Sequence, residues 1–254
     1  MKKAAALATA LAASGIAAAA LAASIEQLPP KHLVWPFSGV LGTVDIAAAQ
    51  RGFQVYKEVC AACHGLSRVA LRNLEEIGFS EAEVKALAAG YQVKDGPNDQ
   101  GEMFDRPGKP SDHFPSPYPN EQAARAAQNG AYPPDLSLII KARHDGANYV
   151  YSLLTGFQNP PADVKMGDGM NYNPYFPGGQ IAMPPPLSDG KVEYTDGTSS
   201  SLDQEARDVV NFLQWAAEPE MRHRKQMGIK ALIFLGIFTL FMYIAKKRIW
   251  SRLH

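Results

Sequence analysis

The chain has 254 residues, a mean hydropathy of −0.19, and 25 basic against 25 acidic residues. The length admits one enlarged domain or two small ones, and the mean hydropathy confines any membrane character to local segments of a soluble body. The zero net charge conceals a segregation: all 25 acids lie in residues 24–221 with only 15 of the basic residues, a formal −10 that argues against a nucleic-acid partner.

Residues 1–23 read as a signal peptide. Lys2 and Lys3 form a positive start, an Ala/Leu-rich stretch follows from Ala4, and Ala20-Leu21-Ala22-Ala23 offers a small-residue cleavage site. The remainder is therefore expected to be exported, into a compartment where free thiols do not persist. Only Cys60 and Cys63 are present, so there is no disulfide framework and the two must be explained together.

A polar, proline-punctuated lead from Glu26 to Pro36 precedes a helix expected over Val44–Val59. A second helix is expected over Ser80–Ala89, with Ser80 capping and Glu83 three residues later completing a capping box. Most of the 19 prolines fall between Asp95 and Pro186, which predicts loops broken by short helices. Those helices are expected at Asn120–Asn129, capped by Asn120, and at Asp135–Phe157 with a break near Gly146. Lys191–Thr195 before Asp196-Gly197 is the best hairpin candidate. Ser201–Ala217 is a helix capped by Ser201, with Gln204 at the capping-box position and Pro219 as its stop. Leu202, Ala206, Val209, Val210, Leu213 and Ala217 form one apolar stripe that needs a core to lie on.

From Gly228 to Ala245 the chain is apolar apart from Lys230, Thr239 and Tyr243. At 1.5 Å per residue this reaches roughly 27 Å, close to the ~30 Å hydrocarbon core of a bilayer. Arg222, Arg224 and Lys225 precede it, Lys246, Lys247 and Arg248 follow, and Tyr243 and Trp250 suit the interface. With the N-terminus exported, residues 24–221 form a body on the outer side, and residues 222–254 an anchor with a short inner tail.

Cys60-Ala61-Ala62-Cys63-His64 is the C-x-x-C-H pattern of covalent haem attachment. Cysteines three apart on a helical turn project to one side, so both thiols reach the vinyl groups of one porphyrin while the adjacent histidine becomes an axial ligand. A thioredoxin-like pair has no use for the histidine, and a zinc site needs a further ligand pair that is absent. The second axial position is open among Met103, Met166, Met170, Met183, Met221 and Met227, with His113 and His144 as rivals. Met183 stands out because Gly178-Gly179 precede it and Pro184-Pro185-Pro186 follow, making a stiff loop able to press a thioether on a flat ring. Arg143, Lys141, Arg106 and Arg125 are candidate partners for the haem propionates.

Longer blocks carry a resemblance. They run Arg51-Gly52-Phe53-Gln54-Val55-Tyr56-Lys57-Glu58-Val59 into the haem motif, then Asp95-Gly96-Pro97-Asn98, Gly101-Glu102-Met103-Phe104 and Arg106-Pro107-Gly108-Lys109. Pro133-Pro134-Asp135-Leu136-Ser137, Ala142-Arg143-His144 and Asn173-Pro174-Tyr175-Phe176-Pro177-Gly178 follow, and Phe212 to Glu220 is the last. Over about residues 50–250 the chain resembles cytochrome c1, the haem subunit of the cytochrome bc1 complex, in its bacterial form. The resemblance implies a mainly α fold: a class I cytochrome c-like haem domain enlarged by proline-rich loops, with one C-terminal transmembrane helix. It implies that Met183 is the second axial ligand, that Arg143 supports a propionate, and that the haem loop is held by packing without a disulfide.

The function so implied is electron transfer by one covalent c-type haem, bound by Cys60, Cys63, His64, Met183 and Arg143 with iron held by His64 and Met183. Electrons come from a Rieske iron–sulfur subunit and leave to a soluble or membrane-attached cytochrome c, beside a cytochrome b subunit, in the inner membrane with the haem domain in the periplasm. The chain has no catalytic site of its own. A free-standing tethered shuttle is the alternative, and a haem peroxidase or sensor, which needs a vacant iron position, a third.

Overall fold

The computed structural model describes residues 26–252; the expected signal peptide lies outside them. Seven α-helices and two small hairpins occur among the described residues. Helix α1 (Ile46–Glu58) is capped by Asp45, whose carboxylate accepts from Ala48 N at 3.1 Å. Helix α2 (Glu81–Ala89) carries the expected capping box, with Glu83 N donating to Ser80 Oγ and Ser80 N to Glu83 Oε2. Helix α3 (Glu121–Ala127) starts at Asn120, which accepts from Ala123 N. The expected break near Gly146 separates α4 (Ile139–Ala142) from α5 (Gly146–Leu154). It has a steric cause: a Cβ on Gly146 would lie 1.7 Å from the Ile140 carbonyl oxygen, so the chain turns back on itself where only glycine fits.

The centre of the fold is the crossing of α1 with α6 (Leu202–Ala217). A Cβ on Gly52 would lie 2.0 Å from Asp208 O and 2.7 Å from Phe212 Cβ, so glycine lets the two backbones approach. Phe212 then packs its ring 5.7 Å from those of both Phe53 and Tyr56. Helix α6 is buried nearly all round, beyond its apolar stripe: Phe212, Trp215 and Ala216 are covered, and so are Glu205, Asp208, Asn211 and Gln214. These polar side chains bond across to other segments, Asp208 to Arg51 and Asn211 to the Asp45 carbonyl at 2.6 Å. The capping box expected at Ser201 is only half formed. Ser201 accepts from Gln204 N, but the Gln204 amide reaches forward to Asp208.

Two hairpins appear where none was expected: β1 (Gln92–Asp95) with β2 (Phe104–Pro107), and β3 (Asn171–Tyr172) with β4 (Gln180–Ile181). Their strands are two to four residues long, too short to carry an alternating apolar pattern that can be read. The hairpin expected at Lys191–Thr195 does not form. There Val192 N donates to Glu205 Oε1 and Ser200 Oγ donates to Val192 O, so side chains take the groups a partner strand would have used.

Helix α7 (Met221–Trp250) is one continuous 30-residue helix, with a mean hydropathy of 2.0 over its most apolar 18 residues. Only Met221 is buried in the body of the protein, and the large apolar side chains from Leu232 to Ile244 are exposed. An apolar surface of this extent around a helix is stable in lipid and not in water.

Candidate haem-binding site

Helix α1 delivers the motif. Beyond Glu58 the chain tightens into a 3-10 turn, Cys60–Ala62, and the Cys60 carbonyl accepts from both Cys63 N (3.1 Å) and His64 N (2.9 Å). Both thiols and the imidazole thus leave one turn. The cysteines are not bonded to each other. Burial pushes the Cys60 thiol up to about 12, with Cys63 adding to it, so Cys60 is not poised for thiolate chemistry at neutral pH.

The imidazole is oriented from behind. His64 Nδ1 lies 2.8 Å from the Pro134 carbonyl oxygen. A carbonyl only accepts, so Nδ1 carries the hydrogen and Nε2 is left bare. Burial lowers the His64 pKa, against the opposing pull of Pro134 and Asp135, and so favours a neutral ring. A neutral imidazole with Nδ1–H held by a backbone carbonyl is the state that binds a metal through Nε2. Among the described residues no cluster of three or more His, Cys, Asp or Glu side chains could hold a metal ion by itself. Two thiols and one bare imidazole nitrogen on a single turn are a donor set that fits a covalently attached haem.

The Pro133–Ser137 segment that supplies the carbonyl is strapped to the loop that leaves the motif, Gly65–Arg68. Leu136 N donates to Gly65 O, Arg68 N to Ser137 Oγ, and Ser67 N and Ser137 N to the Asp135 carboxylate at 2.8 and 2.9 Å. Burial pushes the Asp135 pKa up, and these hydrogen bonds more than reverse it, leaving it low. Tyr56 OH donates to the His64 carbonyl, and Gln128 Nε2 lies 3.6 Å from the Cys63 sulfur while donating to Tyr118 OH at 2.7 Å. Pro134, Asp135, Tyr56, Gln128 and Tyr118 were not singled out as site residues from sequence. Pro133-Pro134-Asp135 was visible as a block, but its target lies some 70 residues away and no local pattern encodes it.

Met183 and Arg143 enter on separate segments and make no hydrogen bond to the motif. Met183 is partly exposed and follows β4, which pairs with β3, while Leu187 beyond the three prolines is buried, so its segment is fastened at both ends. Gly178 and Gly179 both have positive φ (76° and 70°), which explains the glycine pair at the turn into β4. Of its rivals, Met221 is buried beside Gln214, and Met103 and Met227 are at least half-exposed. Arg143 ends α4 with its guanidinium exposed, bonded only to the adjacent Ala142 carbonyl and lying near Tyr149. The other cations are engaged: Arg106 with Asp95 and Asp112, Arg125 with Glu121 and the Gly130 carbonyl, Lys141 with Glu218.

Comparison with known proteins places these features in context. The Cytochrome C1 family matches residues 35–253. A potato (Solanum tuberosum) protein named cytochrome c1-2, heme protein, mitochondrial, is 56% identical over 217 residues, covering 85% of this chain and 84% of the relative. Cytochrome c1, heme protein, mitochondrial, of Kluyveromyces lactis is 50% identical, covering 96% and 84%. A bacterial protein from Bradyrhizobium diazoefficiens, cytochrome b/c1, is 50% identical over 87% of this chain and 35% of its own length.

Proposed function

The chain belongs to the cytochrome c1 family, and from that premise we propose that it takes electrons from a Rieske iron–sulfur protein and passes them to a cytochrome c. It is a c-type haem protein and an electron-transfer subunit of a cytochrome b-c1 complex. Bound haem supplies a one-electron iron couple; the residues of the chain hold it, fill its axial positions and set its surroundings.

The single observation that carries the site assignment is the His64 Nδ1 to Pro134 O hydrogen bond, which leaves Nε2 as the ligating nitrogen. Cys60 and Cys63 would form the thioether links, His64 and Met183 would hold the iron, and Arg143 would meet a propionate. The reading of Met183 is supported by its fastened segment, and that of Arg143 by the engagement of Arg106, Arg125 and Lys141 elsewhere. Held by both His64 and Met183, the iron would suit outer-sphere electron transfer rather than the binding of a small substrate.

The same proposal divides the chain into a signal peptide (1–23), a periplasmic haem domain (24–221) and an anchor (222–254) in a bacterial inner membrane, with a cytochrome b subunit alongside. Mild-detergent solubilisation followed by affinity capture of the full chain tests it. Co-capture of a cytochrome b and an iron–sulfur protein, with haem remaining on the chain under denaturing electrophoresis, is the expected result. A chain recovered alone with redox-active haem would point to a free-standing shuttle.

A further inference from the structure

Lys225, in the second turn of α7, places its ammonium among three backbone carbonyls of one loop: Phe37 O at 2.9 Å, Gly39 O at 2.7 Å and Gly42 O at 2.8 Å. The loop is tightly made. Ser38 N donates to Trp35 O and Thr43 N to Pro36 O, and a Cβ on Gly42 would lie 2.0 Å from Ser38 O. Its base is sunk in the core through Trp35 and Phe37, whose rings stack at 5.4 Å. Its tip is the reverse: Val40 and Leu41 are 72% and 79% exposed. No charged residue occurs from Leu33 to Val44.

Lys225 fixes the height of this tip. Gly228, where the apolar span begins, is three residues further on, about 4.5 Å of helix rise, whereas the headgroup layer on each side of a bilayer is about 5–7 Å deep. The three carbonyl contacts therefore hold the loop within the headgroup layer. An uncharged loop presenting two bare aliphatic side chains at that depth has the chemistry of an interfacial anchor, and Arg222 on the same helix suits the phosphates beside it.

We infer that the Ser38–Gly42 loop, held by Lys225, is a second membrane contact that sinks Val40 and Leu41 into the outer leaflet. The inference rests on the reading of α7 as a membrane span, so its test reports on both. Single-cysteine variants Val40→Cys, Leu41→Cys, Met103→Cys and Gly236→Cys would be prepared in the full haem-loaded chain, where Cys60 and Cys63 are consumed by thioethers. Each would be placed in phosphatidylcholine nanodiscs and treated with a water-soluble maleimide. Met103 is 59% exposed and serves as the aqueous reference; Gly236 serves as the mid-span reference.

Because only the thiolate reacts and apolar surroundings suppress it, V40C and L41C are expected to react at least about tenfold more slowly than M103C, with G236C inert. V40C and L41C reacting as fast as M103C, with G236C still inert, would overturn the loop contact and leave the span intact. A fast G236C would overturn the span itself. Protection that appears only when the partner subunits are present, and not with the chain alone in lipid, would assign the loop to a protein neighbour and overturn the lipid assignment.

Discussion

Arg51 grips Asp208 with two parallel hydrogen bonds, Nε to Oδ2 at 2.8 Å and Nη2 to Oδ1 at 3.0 Å, across the α1–α6 crossing that underlies the haem turn. Asp208 is almost wholly buried, and Arg51 retains 17% side-chain exposure with Asp196 as a second partner. Both attractions raise the Arg51 pKa against burial, with Asp208 the largest cause. Replacing Arg51 with Met leaves a buried carboxylate with only the Gln204 amide as a side-chain partner. A loss of about 3 kcal/mol is expected, at the lower end for a broken buried pair. Urea denaturation followed by circular dichroism checks it. The double variant Arg51→Met/Asp208→Asn should recover part of the loss, because the stranded charge is gone; no recovery would mean that the pair is not what holds the crossing.

Asp135→Ala should loosen the backing of His64 without touching the haem. The substitution removes the acceptor for Ser67 N and Ser137 N, each worth about 1 kcal/mol of local stability and more where the donor stays buried. Asp135 is a positioning residue, so the informative readouts are spectroscopic. Covalent haem is retained, while carbon monoxide binds the reduced protein more readily and the reduction potential moves. Asp135→Asn keeps one of the two oxygen acceptors and turns its NH2 toward the other donor, so it should restore only part of the original behaviour. Equal behaviour of the two variants would remove Asp135 from the support of His64.

Met183→Leu should keep the haem attached, since attachment depends on Cys60 and Cys63, but alter its electronic state. Leucine preserves apolar bulk and cannot donate to iron, so the ferric site becomes high-spin or recruits a weaker ligand and the potential falls. Turnover of the assembled complex then stalls at electron arrival. The same change at Met166 or Met170 should do far less. An unchanged low-spin spectrum in the Met183 variant would move the axial assignment elsewhere.

The β1–β2 hairpin should be the part of the body most sensitive to acid. Arg106 joins Asp95 to Asp112, and this holds the Asp112 carboxyl down at about 2 and Asp95 below its usual range. A depressed folded-state pKa contributes stability that is complete above the ordinary carboxylate value of about 3.9 and is lost as the pH falls from there toward 2. Arg106→Gln should therefore destabilise the hairpin at pH 6, by an amount that shrinks as the pH falls from about 3.9 and is mostly gone by about 2. Hydrogen exchange of the Gln92–Arg106 amides across that range measures it, and a gap between the two proteins that is undiminished at pH 2 would contradict it.

What the sequence disclosed was local chemistry. Ser80, Asn120 and Ser201 begin helices because a cap and its target lie within three residues, and the haem turn is spelled out in five. The span is legible for the same reason: lipid is its environment, and no tertiary partner is needed to read it. What stayed hidden was set by distant segments. The Pro134 carbonyl meets His64 across a proline-rich stretch, and the Lys191–Thr195 backbone is claimed by Ser200 and Glu205. The polar residues of α6 carry no local sign of burial; it is their partners on α1 and the flanking loops that cover them. Arg106, Arg125, Lys141 and Arg143 are equivalent by composition; the resemblance points to Arg143, and the structure adds that the other three are engaged in ion pairs.

Three residues, Glu218, Pro219 and Glu220, separate the last core helix from the membrane helix. Met221 is packed at 3% exposure, and Glu218 bonds Arg224 on one side and Lys141 on the other. A junction this short and this well fastened makes a bracket, where a flexible leash would need length and solvent. A redox centre on a bracket holds a constant height and tilt above the bilayer, so the chain contributes almost no motion of its own to an encounter. The search for an electron donor and an acceptor then falls to whichever partners can move, and the timing of turnover with it.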